Sequence, residues 1–144
     1  MIAVDTNILV YAYRSESPFH NAAKNKMRVL AEGSGIWAIA WPSVHEFISV
    51  VTNPKIFKVD NSLELAFAQL LAWHSSGRHQ FLAETSVHLQ VLQTLAAAGK
   101  VKGAKIHDAR IAAICLQHGV SELWTADRDF SRFPKLKTRN PLVG

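Results

Sequence analysis

Five acids among the 144 residues stand where carboxylates can do chemistry: Asp5, Glu46, Asp108, Asp127 and Asp129. Asp5 ends the apolar run Met1 to Val4 and is followed by Thr6 and Asn7. Glu46 lies beside a buried helical stripe, Asp108 opens another helical stretch, and Asp127 and Asp129 follow a short apolar segment. Four of them have an ordinary structural explanation taken alone, Asp5 as a helix cap, Asp108 as a first-turn acid favoured by the helix dipole, Asp127 and Asp129 as turn residues, and Glu46 is the least explained in this way. Together they imply more. Four carboxylates converging without a cation repel, each pair about 4 Å apart costing on the order of 4 kcal/mol at an effective dielectric of 20. Carboxylate oxygens select hard cations, and Mg²⁺ keeps waters that substrate phosphate can replace. The chemistry expected of such a site is phosphodiester hydrolysis, with metal activating water and neutralising transition-state charge.

The elements that must position these acids can be read from hydrophobic period. Met1–Val4 reads as a buried strand and Ile8, Leu9 and Ala12 as the start of a helix. A second helix is expected from about 20 to 31, stopped by Glu32-Gly33-Ser34-Gly35, then a strand over 36–40. Pro42 suits a helix's first turn, and Val44, Phe47, Ile48 and Val51 mark the buried face of a third helix. Ser62 can cap a fourth helix to about Trp73, and a strand is expected over 81–83. Val87, Val91, Leu92 and Leu95 mark a fifth helix ended by Gly99, followed by a basic loop over 100–105. A helix over 107–118, a strand over 122–125 and a short strand near Pro141-Leu142 complete the pattern. Alternating strands and helices imply right-handed crossovers and an α/β fold: a short, mainly parallel sheet of four or five strands flanked by helices. Ligands of such sheets bind at the carboxyl ends of the strands, where Asp5 and Asp127 both fall.

Composition narrows the function. A length of 144 residues fits one domain over 1–144, and 49% hydrophobic with 19% charged residues excludes a disordered chain. No apolar run is long enough to span a bilayer, and the start carries an acid where a signal peptide has basic residues, which predicts a soluble, cytoplasmic protein with no membrane role. The single cysteine, Cys115, lies among Ile111, Ala112 and Ile114 and reads as a small buried hydrophobe in a reducing compartment. Sixteen Lys and Arg against 11 Asp and Glu give +5, the sign that favours polyanions. Lys100, Lys102, Lys105, Arg110, Arg128 and Arg132 flank the last two acidic motifs. Each is either a solvated surface charge or a contact to phosphate. His45 and His107 adjoin acids, but neighbouring helical residues point about 100° apart, so neither is assigned a role. Trp37, Trp41, Trp73 and Trp124 are assigned to the core or to a dimer interface.

In their order the motifs resemble those of the PIN-domain nucleases, and within them the VapC-type toxins of toxin-antitoxin pairs. Ile2-Ala3-Val4-Asp5-Thr6-Asn7 looks like the first motif, Ser43 to Asn53 with Glu46 the second, Ile106-His107-Asp108-Ala109 the third, and Thr125-Ala126-Asp127-Arg128-Asp129-Phe130 the fourth. The resemblance covers residues 2 to about 142. It implies that Asp5, Glu46, Asp108 and Asp127 are catalytic metal ligands, that Thr6, Asn7 and Thr125 shape the site, and that Asp129 has a variable role. It implies endonucleolytic cleavage of RNA with Mg²⁺ or Mn²⁺, silencing by a small VapB-like antitoxin, and a homodimer. Competing readings are a housekeeping nuclease in RNA processing or acting on DNA, an acidic-pocket signalling domain, and an inert binding module. A signalling domain wants a paired acid near the first strand or a lysine after a late one, and the segments around Asp5 and Asp127 offer neither.

Overall fold

A computed structural model describes residues 1–143. Five strands, β1 (Ile2–Val4), β2 (Ile36–Ala40), β3 (Arg78–Leu82), β4 (Glu122–Trp124) and β5 (Thr138–Arg139), form one parallel sheet in the order β3-β2-β1-β4-β5. Six helices connect them: α1 (Thr6–Tyr13), α2 (His20–Glu32), α3 (Trp41–Val51), α4 (Leu63–His74), α5 (His88–Ala98) and α6 (Ile106–Gln117). The chain winds outward from β1 in one direction through β2 and β3, then returns to β1's other side with β4. The strand order therefore reverses between β1 and β4, the place where a doubly wound sheet opens a crevice at its carboxyl edge.

Strand alternation sorts side chains between two cores, one on each face. Val4, Trp37, Ile39 and Trp124 point to the face covered by α1 to α4, with Leu9, Met27, Phe47, Leu70 and Trp73. Ala3, Ala38, Ala40 and Leu123 point to the other, where Ala109, Ala112 and Ala113 of α6 meet them alongside Leu95, Phe130 and Phe133. Small residues on both partners allow α6 a close approach to the sheet. That fixes its first turn, and so Asp108, over the carboxyl edge. Cys115 is fully buried in the same core, and burial pushes its thiol up to about 12, which leaves it an inert hydrophobe.

Two expected boundaries are corrected. The third strand begins at Arg78, not Phe81, and pairs with β2 over five residues. As an edge strand it exposes Arg78 and Gln80 while burying His79, so its polar start hides it from a search for apolar runs. The last strand is Thr138–Arg139, not Pro141-Leu142. There the N–H groups of Leu123 and Thr125 donate to the carbonyls of Lys137 and Arg139 (both 2.9 Å). Pro141 has no N–H to offer a ladder, and Leu142 packs on the core with its N–H donating to the Asn140 side chain (3.0 Å). The basic stretch 100–105 contains a 3₁₀ turn, Gly103–Lys105, leading into α6. Trp37, Trp73 and Trp124 are buried, whereas Trp41 is 38% exposed and stacks on Phe81 with ring centroids 4.4 Å apart. Among the described residues no helix is long and apolar enough to cross a membrane.

Candidate active site

Asp5 leaves β1 and caps α1, its backbone N–H donating to the Trp124 carbonyl (2.9 Å) at the end of β4. Its carboxylate is held on both oxygens. Oδ1 accepts from the Thr6 N–H (2.8 Å), and Oδ2 accepts from the Thr125 hydroxyl (2.7 Å) and the Asn7 amide (3.4 Å). Thr125 is the junction of this network, since its oxygen also accepts from the Asp127 N–H (3.0 Å) and from Asn7 (3.3 Å). Asn7 closes the loop by accepting from the Ala126 N–H (3.1 Å). Asn7 and Thr125 thus tie the ends of β1 and β4 into one rim, and Thr6 fixes the other carboxylate oxygen of Asp5. The Thr6 hydroxyl itself is buried without a partner, so its contribution to the network is the backbone N–H.

The remaining acids reach this rim from other elements. Glu46 sits in the second turn of α3 on an exposed position, Asp108 in the first turn of α6, and Asp127 just after β4, where its Oδ1 accepts from the Asp129 N–H (2.8 Å). Asp5, Glu46, Asp108 and Asp127 all line one pocket of about 240 Å³, with Thr6 and Asn7. Glu46, Asp108 and Asp127 also line an adjoining cleft of about 490 Å³, whose other walls include His45, Lys105, His107 and Arg110. The tightest grouping is narrower than the expected quartet and includes a residue of undecided role. Oxygens of Asp108, Asp127 and Asp129 lie within 4.8 Å of one another. Asp5 stands deeper, 5% exposed, behind that trio.

Two of the acids, Asp5 and Asp108, are partly withdrawn from water. Burial is the main reason that the Asp5 carboxyl is pushed up to about 6; the hydrogen bonds from Thr125 and Thr6 oppose the shift, and the charges of Glu46 and Asp108 add to it. Asp108 is raised as well, first by burial and then by Asp127, while Lys105 pulls the other way. Negative charge in this rim is therefore under-compensated by the protein itself. The donor set is all oxygen, partly desolvated and converging, which fits a hard divalent cation and gives a soft one nothing to prefer. Asp108 and Asp127 would hold such an ion, with Asp5 and Glu46 lining the pocket beside it.

The basic residues divide. Lys105 pairs with Asp129, and Arg110 pairs with Glu84 through Nε (2.8 Å) and Nη2 (2.6 Å). Arg132 donates to the Gly99 carbonyl (3.1 Å). One buried cation escaped notice in the sequence. Arg14, 4% exposed, donates to the carbonyls of Asp60 (2.6 Å) and Val59 (3.1 Å), pairs with Glu16 and covers the Phe57 ring at 4.1 Å. It pins the 53–61 loop to the end of α1, and nothing in its local sequence separates it from a surface arginine.

Comparison with known proteins agrees with the geometry. Residues 2–136 match the PIN domain. A VapC ribonuclease of Mycobacterium bovis is 31% identical over 144 residues, covering 100% of this chain and 97% of its own. Ribonuclease VapC48 of Mycobacterium tuberculosis is 29% identical over 140 residues, with 97% of both chains covered. Among solved structures, VapBC2 from Rickettsia felis, bound to a promoter DNA fragment, aligns with a TM-score of 0.71 at 21% identity over 96% of this chain and 98% of that one. The sarcin-ricin-loop-cleaving toxin VapC20 of M. tuberculosis aligns at 0.65 and 18% identity, over 91% of this chain and 93% of that one. At these identities the solved structures speak to the fold, and the sequence relatives carry the kinship. The chain belongs to the PIN-domain family, among the VapC ribonucleases.

Proposed function

We propose that this chain is a Mg²⁺-dependent endoribonuclease, the toxin of a VapBC-type pair, with Asp5, Glu46, Asp108 and Asp127 as its catalytic carboxylates. The observation that supports the reading is that Asp5, Glu46, Asp108 and Asp127, carried by four different parts of the chain, line one pocket at the strand-order reversal, with the carboxyl of the buried Asp5 pushed up to about 6. Asp108 and Asp127 would hold the divalent ion, Mg²⁺ or in its place Mn²⁺. When bound, that ion supplies activation of water and neutralisation of the charge that builds on phosphate oxygens.

The chain's own residues do the rest. Thr125 and Thr6 hold the Asp5 carboxylate in one orientation from opposite oxygens, so it presents fixed negative charge to the pocket. Glu46, exposed on α3 and lining both cavities, faces the place where an RNA phosphate enters and can accept a proton from an attacking water. The larger cleft, open to solvent and lined by Lys105, His45 and His107, gives a single strand room to lie across the rim. The phosphate contacts expected of such a track set affinity and register, and they carry no sequence information directly. Its relatives' names support RNA as the substrate, and the toxin-antitoxin complexes among similar folds support a VapB-like partner. We infer a homodimer from the resemblance of the motifs alone.

The test is cleavage of total RNA by purified protein. Cleavage with Mg²⁺ or Mn²⁺ that stops in excess EDTA is expected; full activity in EDTA would refute the metal requirement, and absence of cleavage under all conditions would refute the nuclease reading.

A further inference from the structure

Two of the basic residues near the acids line the larger cleft, Lys105 and Arg110, and they are differently committed. Arg110 is held by Glu84 away from the acidic trio. Lys105 is held by Asp129, a member of it, so its ammonium rests at the edge of the carboxylate group that would bind the divalent ion. The lysine starts from the 3₁₀ turn Gly103–Lys105, directly before α6, so the short segment that precedes Asp108 also carries the cation. Its own proton is held more tightly chiefly because of Asp129, with Asp108 and Asp127 adding to the pull.

Two physical features make this contact exchangeable. Both side chains are about half exposed, 47% for Lys105 and 41% for Asp129, and ion pairs in water hold their partners weakly. A divalent ion on Asp108 and Asp127 would also cancel the smaller part of the attraction that those two acids supply and would repel the ammonium. A lysine on a flexible stem then needs another anion within reach, and in this cleft an RNA phosphate supplies one.

We propose that Lys105 is a phosphate-binding residue of this site, parked on Asp129 in the free protein and transferred to an RNA phosphate when substrate enters, with Asp129 its resting partner and not a metal ligand. The proposal rests on the endoribonuclease reading above. It singles out one cation from the six that flank the motifs and assigns Asp129 a role that its position beside two candidate ligands does not suggest.

The experiment measures binding of a fluorescein-labelled single-stranded RNA oligonucleotide by anisotropy across a NaCl series, with Ca²⁺ replacing Mg²⁺ to hold off turnover. Lys105→Met is expected to reduce the steepness of log affinity against log salt by about one. It should weaken binding roughly tenfold at low salt, and with Mg²⁺ present raise KM more than it lowers kcat. Lys105→Arg is expected to restore the slope, which a merely structural role would not require. Asp129→Asn is expected to tighten RNA binding and to leave Mn²⁺ affinity, followed by electron paramagnetic resonance, within about twofold of wild type, whereas loss of a charged ligand costs far more. An unchanged salt slope in Lys105→Met, or loss of Mn²⁺ affinity in Asp129→Asn, overturns the proposal while wild-type RNA binding leaves the nuclease reading standing. Wild-type protein that binds no RNA overturns both.

Discussion

The carboxyl of Asp5 is held by three donors and still lies well above its ordinary range, because desolvation outweighs the hydrogen bonds. That imbalance has a measurable sign. The folded protein holds the proton to about pH 6 and the unfolded chain only to 3.8, so between those values folding takes up a proton and stability falls as pH rises. The gap corresponds to about 3 kcal/mol at most, all of it lost above the upper value. His79 works in the opposite direction. Burial, and then the charge of His74, push it down from 6.5 to about 4, so its contribution to stability is complete above 6.5 and is lost as pH falls towards 4. In chelator, Asp5→Asn should therefore raise the melting temperature near neutral pH and leave a curve that climbs more steeply with pH than wild type between about 4 and 6. A variant curve parallel to wild type would show that Asp5 does not carry the shift. Asp108→Asn, also relieving a raised carboxyl, should keep the fold, increase apo stability and lower RNA cleavage by roughly a hundredfold or more. Near wild-type turnover in that variant would remove Asp108 from the metal site.

At the scale of elements, the alanine faces of α6 and the sheet set the height of Asp108. Ala112 is fully buried in the core that contains Ala3, Ala38 and Ala40, so Ala112→Leu has no void to enter. It should cost about 1–3 kcal/mol and push the helix outward. Cleavage should fall with it although no acid is touched, and a variant with unchanged melting temperature and rate would show that α6 has slack. Elements with a strong apolar period were legible: β1, α3 and α6 fall within a residue or two of expectation, and with them the acids that they carry. What escaped was where polarity masks geometry. His79 hides β3 because it is buried by packing at a tilt against Trp37 (ring centroids 4.4 Å apart) and makes a 2.9 Å contact to the His74 ring, a tertiary arrangement that no local pattern announces. Thr125 and Asn7 were legible only through the family's motifs, since a hydrogen bond between residues 118 positions apart leaves no trace in periodicity. The approach of Asp129 to Asp108 and its commitment to Lys105 belong to the same class.

For the whole molecule, the net charge of +5 and the acid rim describe a protein drawn to RNA yet locally repellent to it until a cation is bound. Unregulated activity of this kind harms the cell that makes it. Expression of the chain alone should slow growth, and co-expression with a VapB-like antitoxin should restore growth through a tight complex. An arginine or lysine from that partner placed among Asp5, Glu46, Asp108 and Asp127 would form the strongest contact the rim offers, a charge-assisted carboxylate pair. Growth untouched by abundant, folded and active enzyme would point instead to a housekeeping nuclease.

The position of β1 at the centre of the sheet has a consequence for synthesis. That strand has one neighbour in β2, but its other neighbour is β4, made more than a hundred residues later. Until Trp124 and Thr125 have emerged, Asp5 has no carbonyl to anchor its N–H and no hydroxyl on its carboxylate, and the nascent chain holds only separated parts of a nuclease. A fragment ending before Glu122 should therefore bind no divalent ion at this rim and cut no RNA, so activity can arise only once the chain has been made past β4.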